Sequence, residues 1–183
     1  MGECDMKLRR IICLAVAVAF AGTLVAPAVG QESGNIEWEE GKGTELEKKF
    51  RKKSNVFEDF DVLSGKKKKN PVMIYFYWPE TKEDEKASSK DKKQLHYCKK
   101  MEEKLFSDST FAEVANEFFC VKVNLKELHK DLSKKYKVKY APYVLIFDCM
   151  GDKVGKIDNP EQDVIGLLIA LREIISKSNE KRE

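Results

Sequence analysis

The fold of this chain is limited above all by three short apolar runs with helical segments between them. Each run has the length and the content of β-branched and aromatic residues that are typical of a buried strand. The runs are residues 72–78, 118–125 and 142–148. The segments that separate them carry apolar side chains at helical spacing. Strands that alternate with helices in this way favour an α/β domain.

The segments after the third run predict a further strand and a final helix. Residues 153–157 follow a short turn and can pair with the third run as a hairpin. Asn159 and Pro160 suit the start of a helix, because Asn is a good N-cap and Pro is favoured at the first helical position. The helix is expected to end at about Ser176, and the charged tail at 179–183 is expected to fray.

The N-terminal residues have the layout of a secretory signal. Positive charges precede an apolar run at residues 11–26, and small residues follow it. We therefore expect residues 1–30 to be a signal peptide that is removed after Ala28 or Gly30. Retention as a membrane anchor is the alternative, because an apolar run of this length can span a bilayer. After removal, the protein is expected to be periplasmic or extracellular, with no stable membrane association.

Residues 31–69 predict a linker and a small N-terminal element. The first part is polar and punctuated by glycine, with a short edge strand expected around residues 36–38. Apolar residues then recur at helical spacing in residues 44–63, so one or two helices are expected there. The main domain is expected to cover residues 70–178.

Composition and motifs argue against several classes of function. Although 36% of the residues are charged, the net charge is only +3 because lysines and acidic residues are interleaved. A nucleic-acid-binding protein would more often show a segregated basic face and more arginine, so no nucleic-acid partner is expected. His96 and His129 have no acidic or cysteine ligand at metal spacing, so no metal site is predicted. The sequence has no phosphate-binding loop or dinucleotide fingerprint, and no cofactor is expected.

Residues 70–157 contain a series of short motifs in a specific order. After the first apolar run come C-K-K-M-E at 98–102, F-S-D at 106–108, V-K-V-N at 121–124 and A-P-Y-V-L-I-F-D at 141–148. This series resembles the thioredoxin-like family, and in particular its secreted thiol:disulfide-interchange branch. The resemblance implies a thioredoxin fold, with a central mixed sheet of four to five strands flanked by helices.

The resemblance makes Cys98 the second cysteine of the C-x-x-C dithiol of the family, with Leu95 in the place of the first. A dithiol site needs one thiolate to attack a disulfide and a second thiol to resolve the mixed disulfide. Cys98 is therefore either a monothiol that forms mixed disulfides or a buried small residue in a retained scaffold. Leu95, Cys98 and Leu105 fall at helical spacing, which predicts that they lie on the buried stripe of the helix. Tyr75 stands at a strand position where thioredoxins often hold a buried aspartate, and this strand has no acid at all.

Residues 80–94 form an insertion, because the family passes almost directly from the strand to the redox motif. The insertion is highly charged and has no large apolar residue. It is either a mobile loop or an N-terminal extension of the helix that carries Cys98. In the second case, Cys98 lies inside the helix and loses the N-terminus that lowers a thiol pKa.

The remaining cysteines of the main domain do not supply a second thiol. Cys120 and Cys149 are expected on strands that flank the first apolar run, two strand spacings or about 9.5 Å apart. This exceeds the roughly 7 Å that a disulfide can bridge. Both are expected to be packing residues, although Cys149 lies near a turn, where a side chain can be exposed.

The resemblance also implies a groove for a polypeptide. In the family, the proline at the position of Pro142 is cis and packs against the redox motif, and Ala141 would present backbone groups to an extended chain. Tyr97 and Trp78 are expected at the rim of the site, although ordinary packing explains each of them equally well. The expected partner is therefore a polypeptide or thiol-containing protein client, bound between Cys98 and Pro142 without dithiol turnover.

Two other functions are compatible with the sequence. One is a monothiol thiol:disulfide oxidoreductase that acts through Cys98 and uses an external thiol as resolver. The other is a purely structural module whose partner binds the lysine-rich insertion.

Overall fold

The computed structural model of the chain describes residues 34–41, 55–60, 70–81 and 87–182. The predicted signal peptide lies outside these ranges. So do large parts of the predicted N-terminal element and residues 82–86 of the predicted insertion.

The described residues form strands β1 to β5 and helices α1 to α5. The strands are β1 (Glu39–Glu40), β2 (Val72–Tyr77), β3 (Phe119–Asn124), β4 (Tyr143–Phe147) and β5 (Lys153–Ile157). The helices are α1 (Val56–Asp59), α2 (Ser89–Met101), α3 (Ser109–Ala115), α4 (Lys130–Tyr136) and α5 (Val164–Glu180). A π-helical turn, Glu102–Phe106, continues α2. Among the described residues, no helix has the length and apolar character needed to cross a membrane.

The strands form one mixed sheet in the order β1-β3-β2-β4-β5. Strand β3 lies parallel to β1 and β2, whereas β4 lies antiparallel to β2 and β5. The predicted α/β fold, with a mixed sheet flanked by helices, is therefore confirmed. As expected, β3 and β4 flank β2 on its two sides.

Both faces of β2 are covered, which explains why its sequence is apolar without interruption. Met73 and Tyr75 face the core layer that α2, α3 and α5 cover. Ile74 and Phe76 face the opposite layer, which α1 and α4 cover. The alternation of side chains along the strand thus places Tyr75 under the helix that carries Cys98.

The N-terminal edge strand forms at Glu39–Glu40 rather than at residues 36–38. Trp38 packs instead against the rings of Tyr75 and Phe106, with centroid separations of 5.6 and 5.2 Å. Because the Trp38 side chain covers the core, pairing with β3 begins at Glu39, one residue after Trp38.

The last helix begins later than the sequence predicts. Its N-cap is Asp163, whose carboxylate accepts hydrogen bonds from the backbone N–H groups of Ile165 and Gly166 at 3.2 and 3.1 Å. Asn159 instead caps a separate turn, in which its side chain accepts from the N–H of Glu161 at 2.9 Å. The earlier predicted start is wrong because the Asp163 carboxylate satisfies two N–H groups of the first helical turn.

The last helix also ends later than predicted. It continues to Glu180, past the expected end at Ser176. Ser178 is fully buried, and Lys181 donates to the buried carboxylate of Asp148 at 2.6 Å. These contacts hold the last turn of α5 against the domain.

Candidate functional site

Helix α2 carries Cys98 in its interior. The helix begins at Ser89, and the Ser88 hydroxyl caps it by accepting a hydrogen bond from the N–H of Asp91 at 3.2 Å. Residues 89–94 of the predicted insertion therefore extend the helix, which is one of the two alternatives. Cys98 lies more than two turns from the helix start, so the N-terminal dipole does not stabilise its thiolate.

The Cys98 thiol is buried and held in a polar contact. Its side chain is only 3% exposed, and its Sγ accepts a hydrogen bond from the backbone N–H of Trp78 at 3.4 Å. Burial raises the pKa of the Cys98 thiol, and the nearby Glu102 carboxylate raises it further. Three groups lower the pKa without cancelling this rise. They are the backbone N–H of Trp78, the Tyr75 hydroxyl and the Lys122 ammonium. The environment therefore keeps the thiol protonated.

A polar cluster that the sequence pattern did not predict surrounds the Cys98 thiol. The Tyr75 hydroxyl donates to Glu102 Oε1 at 3.2 Å, and Lys122 Nζ donates to the same oxygen at 3.3 Å. Burial raises the Tyr75 pKa far above its ordinary value, so its hydroxyl stays a donor. Strand β2 lacks an acid, but the π-helical turn after α2 brings the Glu102 carboxylate to Tyr75. The four-residue spacing of Cys98 and Glu102, which places both on one helix face, was the available signal.

The cluster predicts opposite effects of two charge-removing substitutions on Cys98. Glu102→Gln removes an anion that disfavours the thiolate, so the Cys98 pKa should fall. Lys122→Gln removes a cation that favours the thiolate, so the pKa should rise. The pH dependence of the alkylation rate of Cys98 measures both shifts. Shifts of the same sign in the two variants would contradict the proposed electrostatics.

A pocket of about 380 Å³ lies beside the start of β4. Its lining brings together three of the predicted site residues, Tyr97, Ala141 and Pro142. The Ala141-Pro142 peptide bond is cis. Tyr140, which is 46% exposed, adds a second aromatic ring to the wall. Cys98 does not line this pocket, so the pocket can accept an apolar side chain without contact to the thiol.

Gln94 connects helix α2 to the proline loop and was not predicted as a site residue. Its side chain is 6% exposed, and its Oε1 accepts a hydrogen bond from the backbone N–H of Ala141 at 2.9 Å. Leu95, expected on the buried stripe, is only half-buried. An extended chain bound here can use the Ala141 N–H only after Gln94 has moved away.

Trp78 lies in a different place from the other predicted rim residues. Its side chain lines a separate cleft of about 390 Å³, and Lys126 Nζ lies 4.9 Å from its ring centroid. Lys90 and Gln94 line both the cleft and the pocket. The first turns of α2 thus separate the cleft from the pocket, which is why Trp78 does not reach Pro142.

The other cysteines and His129 have structural roles. The three cysteines of the described residues, Cys98, Cys120 and Cys149, are buried and form no disulfide. Cys120 and Cys149 are packing residues, as expected, and the Cys149 thiol donates to the carbonyl of Ser178 beneath the last helix. His129 caps α4 through its ring. Within the described ranges, no group of three or more His, Cys, Asp or Glu residues is arranged to hold a metal ion.

Comparisons with known proteins place these features in context. A family model described as the thioredoxin-like domain matches residues 56–159. The structure is similar to a thioredoxin from Thermus thermophilus, with 18% identity, coverage of 62% of this chain and 80% of the other, and a TM-score of 0.45. An oxidoreductase named DsbH is also similar, with 12% identity, coverage of 85% of this chain and 95% of the other, and a TM-score of 0.49. A thioredoxin from Trypanosoma brucei brucei has 16% identity, coverage of 60% of this chain and 79% of the other, and a TM-score of 0.39. No curated protein matches the sequence.

Proposed function

Because the chain belongs to the thioredoxin-like domain family, we propose that it is an exported domain that binds extended polypeptide and has lost dithiol redox turnover. The observation that carries the proposal is the pocket of about 380 Å³ formed by Tyr97, Tyr140, Ala141 and Pro142. We call it the proline groove. Its walls are aromatic and aliphatic, which suits an apolar side chain of a bound polypeptide.

The rims of the proline groove are polar and carry both signs of charge. Lys90 and Lys93 come from α2, and Asp158 and Glu161 come from the segment between β5 and α5. Such a rim can accept main-chain and polar groups of an extended chain while its floor takes a side chain. The proposed client is therefore a polypeptide, and its recognition depends on apolar side chains more than on net charge.

The loss of dithiol chemistry is the second part of the proposal. Leu95 lies three residues before Cys98, where the resembled motif has its first cysteine. A hydrocarbon side chain there cannot attack a disulfide. The monothiol alternative requires a thiolate that meets its substrate at the surface, and both the burial and the raised pKa of Cys98 weigh against it.

Export is the third part of the proposal and depends on the sequence alone. The charged start, apolar run and small residues within positions 6–30 support removal of a signal peptide. Free cysteines in the described domain are compatible with an oxidising compartment because all three are buried.

Binding of a permanently unfolded protein, reduced and carboxymethylated, tests the proline groove. Tyr97→Ala removes an aromatic wall, so the affinity should fall about tenfold, as is usual for an aromatic anchor at an interface. Met150→Ala is the matched control, because Met150 is 63% exposed and does not line the groove. Fluorescence anisotropy of the labelled unfolded protein gives both affinities. Equal affinities for the two variants would remove the groove as the binding site.

A further inference from the structure

A second cleft lies on the other side of the first turns of α2, and we call it the Trp78 cleft. Its volume is about 390 Å³. The apolar part of its lining consists of Trp78, Leu125, Leu128 and Val138. Trp78 and Leu125 are half-buried, whereas Leu128 and Val138 are buried, so the first two provide most of the apolar surface of this cleft.

Four lysines surround this apolar surface. They are Lys90 from α2, Lys130 and Lys134 from α4, and Lys139 from the following loop, and all four are exposed. Among the described residues, no carboxylate forms a salt bridge with any of the four. Asp91 is the acidic residue of the lining, and it accepts a hydrogen bond from the Ser88 hydroxyl at 2.8 Å. The described lining, with four lysines and one aspartate, therefore carries net positive charge.

The tryptophan itself offers an unused hydrogen-bond donor. The Trp78 indole N–H is buried and has no acceptor among the described residues. A buried donor without a partner is unfavourable, so an acceptor that reaches it after a small shift of the covering side chains would be stabilised. Lys126, whose ammonium lies over the indole ring, adds a further positive charge at the edge of the cleft.

We propose that the Trp78 cleft binds an acidic, extended segment of a polypeptide, with its carboxylates at the lysines and an apolar side chain against Trp78 and Leu125. The charges are complementary, and the aliphatic part of the surface suits a peptide side chain. A single-stranded nucleic acid would instead need aromatic platforms for successive bases. Arginine, which pairs with phosphate in two hydrogen bonds, does not line the cleft. This cleft shares Lys90 and Gln94 with the proline groove but otherwise has a different lining, and the proposal does not depend on the function proposed for the groove.

The fluorescence of Trp78 provides a direct test. Trp38→Phe leaves Trp78 as the sole tryptophan of the full chain. The probe is a peptide of about ten Glu, Leu and Gly residues, long enough to cross the cleft in an extended form. A second peptide carries Lys in place of every Glu. The acidic peptide should change the emission of Trp78 saturably, and its affinity should fall as salt increases. The basic peptide should bind at least tenfold more weakly, because its charges repel those of the lysines.

Two triple variants separate the cleft from general surface charge. The combination of Lys130→Gln, Lys134→Gln and Lys139→Gln should weaken the acidic peptide about tenfold. The combination of Lys104→Gln, Lys153→Gln and Lys177→Gln removes the same charge elsewhere and should change the affinity less than about twofold.

Three results would overturn the proposal. They are no change in emission with the acidic peptide, equal weakening by the two triple variants, and tighter binding of a single-stranded oligonucleotide than of the acidic peptide. Tyr97→Ala should leave this binding unchanged, so failure of the Trp78 cleft and failure of the proline groove are distinguishable. The peptide and salt measurements need no lysine substitution, so they do not depend on the folding of the triple variants.

Discussion

Reduction of insulin by dithiothreitol should proceed at its uncatalysed rate in the presence of this protein. A dithiol cycle requires a nucleophilic thiolate and a resolving thiol within reach of each other. Leu95 supplies no sulfur, and Cys98 is buried with a raised pKa. The turbidity of precipitating insulin chains measures the rate. Precipitation as fast as with an ordinary thioredoxin would contradict the loss of dithiol turnover.

Leu95→Cys is the matched control for this assay. It restores the C-x-x-C spacing, but both sulfurs then lie inside α2 rather than at a helix start. The helix N-terminus, which normally favours the attacking thiolate, is more than a turn from position 95. We therefore expect only a small gain in turnover from this substitution. Full thioredoxin activity in this variant would show that the missing sulfur alone accounts for the loss.

Alkylation of Cys98 in the native protein should be about a hundredfold slower, or more, than in the denatured chain at the same pH. The thiol is 3% exposed, so a reagent reaches it only when the structure opens locally. Its raised pKa also lowers the fraction of thiolate, which is the reactive form. Mass spectrometry of the digested protein gives the rate for each cysteine separately, and the denatured protein serves as the reference. A native rate close to the denatured rate would favour the monothiol alternative.

The pH dependence of this reaction follows from the direction of the pKa shift. Burial favours the neutral thiol, so the thiolate of native Cys98 should form only above the pH at which an unfolded cysteine ionises. The unfolded thiol loses its proton first as the pH rises. The stability that the buried neutral thiol contributes is therefore complete below the unfolded pKa and is lost as the pH rises through the folded pKa.

Much of the fold could be predicted from the sequence because its buried strands and its helices have distinct patterns of apolar residues. The uninterrupted apolar character of residues 72–77 requires a strand that is covered on both faces, and the structure provides two helical layers for it. The helical spacing around Cys98 placed the thiol on the buried side of α2, and it is buried. Local periodicity reports which side of an element is buried, and this information is contained in the chain itself.

The exact boundaries could not be predicted, because several residues nearby can cap a helix equally well. Asn159 and Asp163 are both good N-caps, and in the structure Asp163 caps α5 through two N–H groups while Asn159 caps a separate turn. In the same way, Gln94 rather than Leu95 takes the buried position in α2, because the N–H of Ala141 faces it and needs an acceptor.

The sequence by itself determined the alternation of strands and helices, the burial of Cys98 and the absence of a second cysteine at the C-x-x-C spacing. The tertiary structure decided which side chains meet. It brought Glu102 to Tyr75, and it placed α2 between Trp78 and Pro142 so that they line different clefts. The physical reason is that periodicity is a property of neighbours along the chain. Contacts between elements depend instead on how far α2 extends and on how it crosses the sheet.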